Sequence, residues 1–294
     1  MLFYAALVFL IHLHHHGHIA ARISKRDVAG HSVISVIDHD HNCYTQGLTF
    51  NEGFLYESCG INGKSSVRKV NPRTGEVLQH INFQDDIFAE GLVVIKDHIY
   101  VLTWTNKIML VINKLTFELI GKYRYQTHTG EGWGLAYDGK QFIVSDGSSR
   151  ITFFDVPDIN KLSSSDISST VLKKTRTIIV RDSRKKEIKL LNELEWTDNG
   201  YLYSNVWYKD FILRINIDNG NVDELIDLHS LYPYKTRSKN ADCLNGIAHN
   251  STDNTFLLTG KLWPKYYKIK IIPSQVEFTS RIENISGGSS SIDL

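Results

Sequence analysis

Residues 46–58, QGLTFNEGFLYES, hold a short apolar strand pattern, a turn at Asn51-Glu52-Gly53, and a second strand pattern that answers the first. The opening triplet recurs. Gln46-Gly47-Leu48 is followed by Glu90-Gly91-Leu92, Trp133-Gly134-Leu135, Asn192-Glu193-Leu194 and Asn245-Gly246-Ile247, at spacings of 44, 43, 59 and 53 residues. Turn signals come after each triplet, at Lys96-Asp97, Asp138-Gly139, Asn199-Gly200 and the loop around Asp253. Asp-Gly and Asn-Gly pairs between apolar runs are strong hairpin signals. The second strands read FLYES, IYVLTW, FIVSD, YLYSNVW and FLLTGKLW, and the third VRKVN, IMLVIN, ITFFD, ILRINI and YYKIKI. Four of the units end on a fourth strand: EVLQHINF, FELIGKYRY, TRTIIV and NVDELIDL.

Four antiparallel strands per unit, repeating about every 45 residues, is the pattern of propeller blades. The expected fold class is therefore all-β, a five-bladed β-propeller of four-stranded antiparallel blades. The fifth unit lacks an obvious fourth strand. Ser32 to Asp38 (SVISVID) alternates correctly and is expected to close the ring as the outer strand of the last blade, which removes an open sheet edge. The segment from Gln275 to Ile282 competes for that place.

Residues 1–30 read as a signal peptide or short N-terminal anchor plus linker, 31–285 as one propeller catalytic domain, and 286–294 as a flexible tail. The apolar run Leu2 to Ile11 is too short to span a bilayer core, which takes roughly 20 residues. It fits a signal-peptide core with Ala20 and Ala21 as cleavage candidates. No Lys or Arg precedes it, so a shortened anchor with a lumenal catalytic domain is the rival. The serines at 163–165 and the basic run Arg184-Lys185-Lys186 read as solvated loop.

Composition narrows the partners. A 42% hydrophobic content supports a real core, and a formal net charge of +1 offers no bulk attraction for nucleic acid or a membrane surface. A closed ring has no inherent reason to dimerise, so a monomer in the secretory pathway or outside the cell is expected. Three cysteines are too few for a disulfide scaffold. Cys43–Cys59 and Cys43–Cys243 are both open as pairs. The sequons at Asn250 and Asn284 agree with secretion.

Adjacent strands of a blade run antiparallel, so first-strand starts and second-strand ends share one face. The starts carry Gln46, Glu90, Trp133, Asn192 and Asn245; the ends carry Trp104, Trp207 and Lys261, with Gly60 and Gly147 in equivalent places. First strands line a propeller's channel, so these groups gather at one mouth. Such a mouth is a pocket with aromatic walls and few convergent polar groups. Polar side chains there cost stability unless they satisfy each other or are used. Trp196 and Trp263 read as core. His39, Asp40 and His41 have metal-ligand residue types, but alternate residues of a strand point to opposite faces, so they read as structural or exposed. The residues 130–134, GEGWG, lack the third glycine and the following helix of a phosphate loop.

At these residues the chain resembles the plant-type glutaminyl cyclases, or glutamine cyclotransferases. The strings that carry the resemblance are HDHNCYTQGLTF, FAEGL, LTW, GEGWGL, SDGSS, LNELEW, NVW, LNGIAH and TGKLWP, in order between His39 and Ile271. The resemblance implies a five-bladed propeller that cyclises N-terminal glutamine of peptides or proteins without a catalytic metal; a structural cation in the channel stays open. It implies Glu90 as acid/base, Gln46, Asn192 and Lys261 as a polar clamp, and Phe88, Trp104, Trp133 and Trp207 as an aromatic cage. Tyr44 stands where the family often has Phe, and joins the cage. Two rivals are a propeller that only binds a partner, and a metal-dependent lactonase-like hydrolase using Asn192, Asn245 and Glu90 about a cation. Lys261 at that level opposes the second.

Overall fold

The computed structural model describes residues 28–158 and 170–274 of the chain, and those residues are all-β and propeller-like. The expected signal segment, the Gln275–Ile282 strand candidate and the tail lie outside the described residues. β1 (Val28–Asp38) precedes three four-stranded antiparallel sheets. The first is β2 (Thr45–Asn51), β3 (Phe54–Cys59), β4 (Ser66–Val70) and β5 (Val77–Asn82). The second is β6 (Ala89–Ile95), β7 (His98–Thr103), β8 (Ile108–Asn113) and β9 (Leu119–Arg124). The third is β10 (Leu135–Tyr137), β11 (Gln141–Ser145), β12 (Arg150–Asp155) and β13 (Lys174–Ile179). Then follow β14 (Leu191–Trp196), β15 (Leu202–Val206), β16 (Phe211–Ile215), β17 (Val222–Asp227), β18 (Leu244–Asn250), β19 (Thr255–Gly260) and β20 (Lys265–Ile272).

These last seven strands and β1 form one eight-stranded sheet in the order β14-β15-β16-β17-β1-β20-β19-β18. β1 runs antiparallel to β20 from Gly30↔Ile272 to Asp38↔Lys265, which places SVISVID outside the last hairpin as expected. Its alternation breaks at a register shift between Val33 and Ser35, and Val33, Ile34 and Val36 are exposed. β1 also begins at Val28, three residues ahead of the expected domain boundary, and Val28 and Ala29 pair in parallel with Leu225 and Ile226 of β17. That short contact was not readable from the repeat. It joins two sets of four strands into one sheet.

Burial falls outward within each sheet. The second strands, such as HIYVLT and LYSNV, are buried on both faces, and apolar, β-branched and aromatic residues fill them. Outer strands such as β5 and β17 are more exposed. The turns take the backbone their residues favour: Gly139 and Gly200 sit at φ of 90° and 85°, where a side chain would be strained.

The core lies between successive sheets. Tyr56 and Val67 pack on Leu92 and Ile99; Leu102 and Val111 on Leu135 and Phe142; Ile143 and Phe153 on Leu194 and Leu213. Tyr203 and Ile212 pack on Leu258 and Ile269, and Leu48 and Leu55 return to Ala248 and Leu257. The layers thus close a circle, with β2, β6, β10, β14 and β18 touching one another around its centre.

At that centre there is no room for side chains. A Cβ on Gly47 would sit 2.6 Å from the Leu92 nitrogen, one on Gly91 2.4 Å from the Leu135 nitrogen, and one on Gly134 2.1 Å from the Asn192 oxygen. Where the fourth triplet carries Glu193 instead, its carboxylate accepts the backbone N–H of Leu48 at 3.2 Å and of Ile247 at 2.9 Å. Two residues on, Glu195 accepts the N–H of His249 at 2.7 Å. Burial pushes both carboxyls well above the usual range, and these N–H groups pull the other way.

Beside the axis, Glu57 accepts from His39 Nε2, Thr45 Oγ1 and Tyr266 Oη, each at 2.9 Å. Burial raises its carboxyl, but His39 and Arg68 outweigh burial and hold it below the usual range. His39 is thus a structural residue, and its Nδ1 meets the Trp263 carbonyl at 2.5 Å. Among the described residues, His39, Cys43 and Glu57 are the one trio spaced as metal ligands, but the Cys43 sulfur is bonded to Cys59. No helix among the described residues is long and apolar enough to cross a membrane.

Replacing Glu193 by Ala leaves two buried N–H groups without acceptors. We expect a loss of about 3 kcal/mol in unfolding free energy, measured by chemical denaturation.

Candidate active site

Glu90 sits at the start of β6, buried with 4% of its surface exposed. Its carboxylate accepts from Gln46 Nε2 at 3.0 Å, and among the described residues this is its one hydrogen-bond donor. Burial drives the Glu90 carboxyl well above the ordinary range; the Lys261 charge opposes this and the Glu131 charge adds to it. Lys261, at the end of β19, is also buried, and its Nζ lies over the Tyr44 ring, 4.8 Å from the centroid.

The carboxamides close in behind. Asn245 Nδ2 donates to the Thr45 carbonyl at 3.0 Å and lies 3.5 Å from Gln46 Oε1. Asn205 Oδ1 accepts the Gly246 N–H at 3.0 Å. Asn192 Oδ1, Asn245 Oδ1 and Asn205 Nδ2 are buried and have no hydrogen-bond partner among the described residues. Buried polar atoms are rarely left unpaired away from functional sites.

Aromatic rings surround these groups. Tyr44 meets Phe88 edge-on with centroids 6.4 Å apart, and Phe88 meets Trp104 at 5.5 Å. Trp104 and Trp133 donate their Nε1–H groups to one oxygen of Glu131, at 2.9 and 2.8 Å. Trp133 packs edge-on against Trp207 at 5.5 Å, and Trp207 on Tyr208 at 4.8 Å. Asp242 closes the loop by accepting from the Tyr44 hydroxyl at 2.9 Å and from Tyr208. The rings rest where side chains were withheld: a Cβ on Gly60 would lie 2.4 Å from the Phe88 ring, and one on Gly147 2.7 Å from that of Trp133.

Tyr44, Phe88, Trp104, Trp133 and Trp207 are thus linked through ring contacts and the Glu131 and Asp242 carboxylates, while Glu90 is bonded to Gln46 and feels the Lys261 charge. Asn192 stands at the neighbouring strand start, with its carbonyl against Gly134. A profile of the glutamine cyclotransferase family matches residues 5–271. The chain belongs to the glutamine cyclotransferase family.

It is 34% identical over 254 residues to the glutaminyl-peptide cyclotransferase of Arabidopsis thaliana, covering 85% of this chain and 74% of that one. The crystal structure of Myxococcus xanthus glutaminyl cyclase superimposes with a TM-score of 0.71 at 26% identity, covering 85% of this cyclotransferase-family chain and 99% of that one.

Three residues of the rim escaped the sequence reading. Glu131, Tyr208 and Asp242 lie in loops beside Trp133, Trp207 and Cys243, outside the strand-start and strand-end positions that the repeat marks. Their adjacency to those residues was the available signal. The cysteine ambiguity resolves as Cys43–Cys59, with Cα atoms 5.1 Å apart; Cys243 is a buried free thiol pushed up to about 11 by burial. A separate cavity of about 520 Å³ lies beside β12 and β13, lined by Gln126, Arg150 and Lys174, and shares no residue with the aromatic wall.

Proposed function

We propose that the chain is a five-bladed propeller enzyme that closes the N-terminal glutamine of peptides into pyroglutamate and releases ammonia. Its enzyme class is that of its relatives, glutaminyl-peptide cyclotransferase. The five-blade reading divides the eight-stranded sheet at the two-residue contact of β1 with β17, leaving β14–β17 as one blade and β18–β20 with β1 as another. A secreted protein fits the Cys43–Cys59 disulfide, since such bonds persist in oxidising compartments.

One observation carries the functional reading: a buried carboxylate with a single amide donor faces a lysine inside a closed aromatic wall. The substrate holds both reactants, its α-amine and its side-chain carboxamide, so the first task is to fold glutamine into a near-attack shape. The wall of Tyr44, Phe88, Trp104, Trp133 and Trp207 does this and excludes water that would hydrolyse the amide. The amine nitrogen attacks the carboxamide carbon, forming the ring C–N bond and moving the carbonyl electron pair onto oxygen. Lys261 stabilises that oxyanion, while Gln46 and Asn192 hold the amide. Glu90, as carboxylate, takes the proton that the attacking nitrogen loses and gives it to the departing nitrogen. The second C–N bond breaks, the carbonyl reforms, and ammonia leaves. No water is consumed, no metal is required, and no other cofactor enters.

The sign of the pH effect follows. Glu90 must start ionised and its acid strength is weakened by burial, so activity falls as pH drops through its raised pKa. Ammonia release from a glutaminyl dipeptide is expected, unchanged by chelator. A folded protein that releases none sinks the reading, and loss under chelator favours the metal hydrolase. Glu90→Gln should cut turnover by about two to four orders of magnitude; near-full activity rejects the assignment. Trp207→Ala should raise KM more than it lowers kcat, and steady-state kinetics with an unchanged KM would reduce Trp207 to packing.

A further inference from the structure

The wall of the mouth has a weak side. Trp104 is 38% exposed, so packing alone fixes its ring poorly, and Trp133 is only half-buried. They come from different sheets, Trp104 following β7 and Trp133 preceding β10. What joins them is one oxygen of Glu131, which accepts both indole N–H groups.

Glu131 is itself anchored. Its carbonyl accepts from Thr127 Oγ1 at 2.6 Å, and its N–H reaches Thr129 Oγ1 at 3.2 Å. Thr129 in turn donates to the Asp146 carbonyl at 2.9 Å, and the Asp146 carboxylate accepts the N–H groups of His128 and Thr129. The Gly132 N–H bonds to the Trp104 carbonyl at 2.9 Å. The carboxylate is therefore a fixed post rather than a swinging surface group.

We propose that Glu131 is a positioning residue that clasps Trp104 and Trp133 across two sheets and so sets the wall against which the substrate glutamine folds. This rests on the cyclase reading for its consequence but not for its geometry. Glu131 also has a separable electrostatic effect, because its charge raises the Glu90 carboxyl further. Glutamine at position 131 retains an oxygen able to accept both indoles and loses the charge. Alanine loses both.

The test compares wild type with Glu131→Ala, Glu131→Gln and Trp104→Phe, the last keeping a ring but removing a donor. Quenching of tryptophan emission by acrylamide reads the clasp without any substrate, and dipeptide kinetics read its effect. Glu131→Ala should raise quencher access and lower kcat/KM about 10- to 100-fold, the scale of a small misplacement at a reacting centre. Glu131→Gln should restore both readouts near wild type, with its acid limb moved to lower pH. The loss in Glu131→Ala/Trp104→Phe should be less than the sum of the single losses. Glu131→Ala with unchanged quenching and unchanged kcat/KM overturns the proposal. So does Glu131→Gln as damaged as Glu131→Ala, which would make charge, not the clasp, its contribution. Should Glu131→Ala fail to fold, Glu131→Gln and Trp104→Phe still decide through quenching. A wild type without cyclase activity would sink the functional reading while the quenching result still judges the clasp.

Discussion

Everything at the mouth depends on how closely the inner strands approach. At Gly47, Gly91 and Gly134 a single added carbon would meet the backbone of the next strand. Close packing leaves no volume for a side chain at these three positions, and the residue that precedes each glycine is one of the candidate site residues. Gln46, Glu90 and Trp133 are those residues. Burying polar groups beside the crowded backbone is expensive: amides and a carboxylate lose water there and must find other partners.

Four buried glutamates show how differently that requirement is met. Glu57 has three side-chain donors and a nearby arginine, and it stays ionised. Glu193 and Glu195 accept backbone N–H groups from strands across the axis, so they act as struts. Glu90 has one amide donor, an uncompensated burial and an opposing lysine charge. A buried carboxyl raised by burial beside a specific charge partner marks a candidate functional group. The same residue type thus meets burial in different ways, according to its donors.

The repeat made much of this legible. Triplets, turns and strand runs put Gln46, Glu90, Asn192 and Asn245 at the starts of inner strands, and the structure has them in β2, β6, β14 and β18; Trp104, Trp207 and Lys261 come directly after β7, β15 and β19. Gly60 and Gly147, read only as place-holders, prove to make room for Phe88 and Trp133. Three things were not legible. The β1–β17 contact depends on where a strand strays after its main pairing. The choice of Cys59 over Cys243 depends on side-chain directions at two neighbouring strand ends. Glu131, Tyr208 and Asp242 act from loops, whose positions follow from tertiary contacts and not from a period of two.

Those loops give the rim a common logic. Glu131 joins two indoles from different sheets, and Asp242 joins Tyr44 and Tyr208, also from different sheets. Each carboxylate thereby ties an aromatic seam that packing between separate sheets would leave loose. On the Asp242 side the backbone reinforces the seam: Asp242 N–H donates to the Lys261 carbonyl, Lys261 N–H to the Cys243 carbonyl, and Leu262 N–H to the Cys43 carbonyl. The disulfide fixes Cys43, and with it the adjacent Tyr44, against the end of β3. Lys261 is therefore set by the same contacts that hold the ring beneath its ammonium group. A cation placed in this way need not form a salt bridge with Glu90 to act on it, and among the described residues it forms none; its charge still opposes the effect of burial on the Glu90 carboxyl.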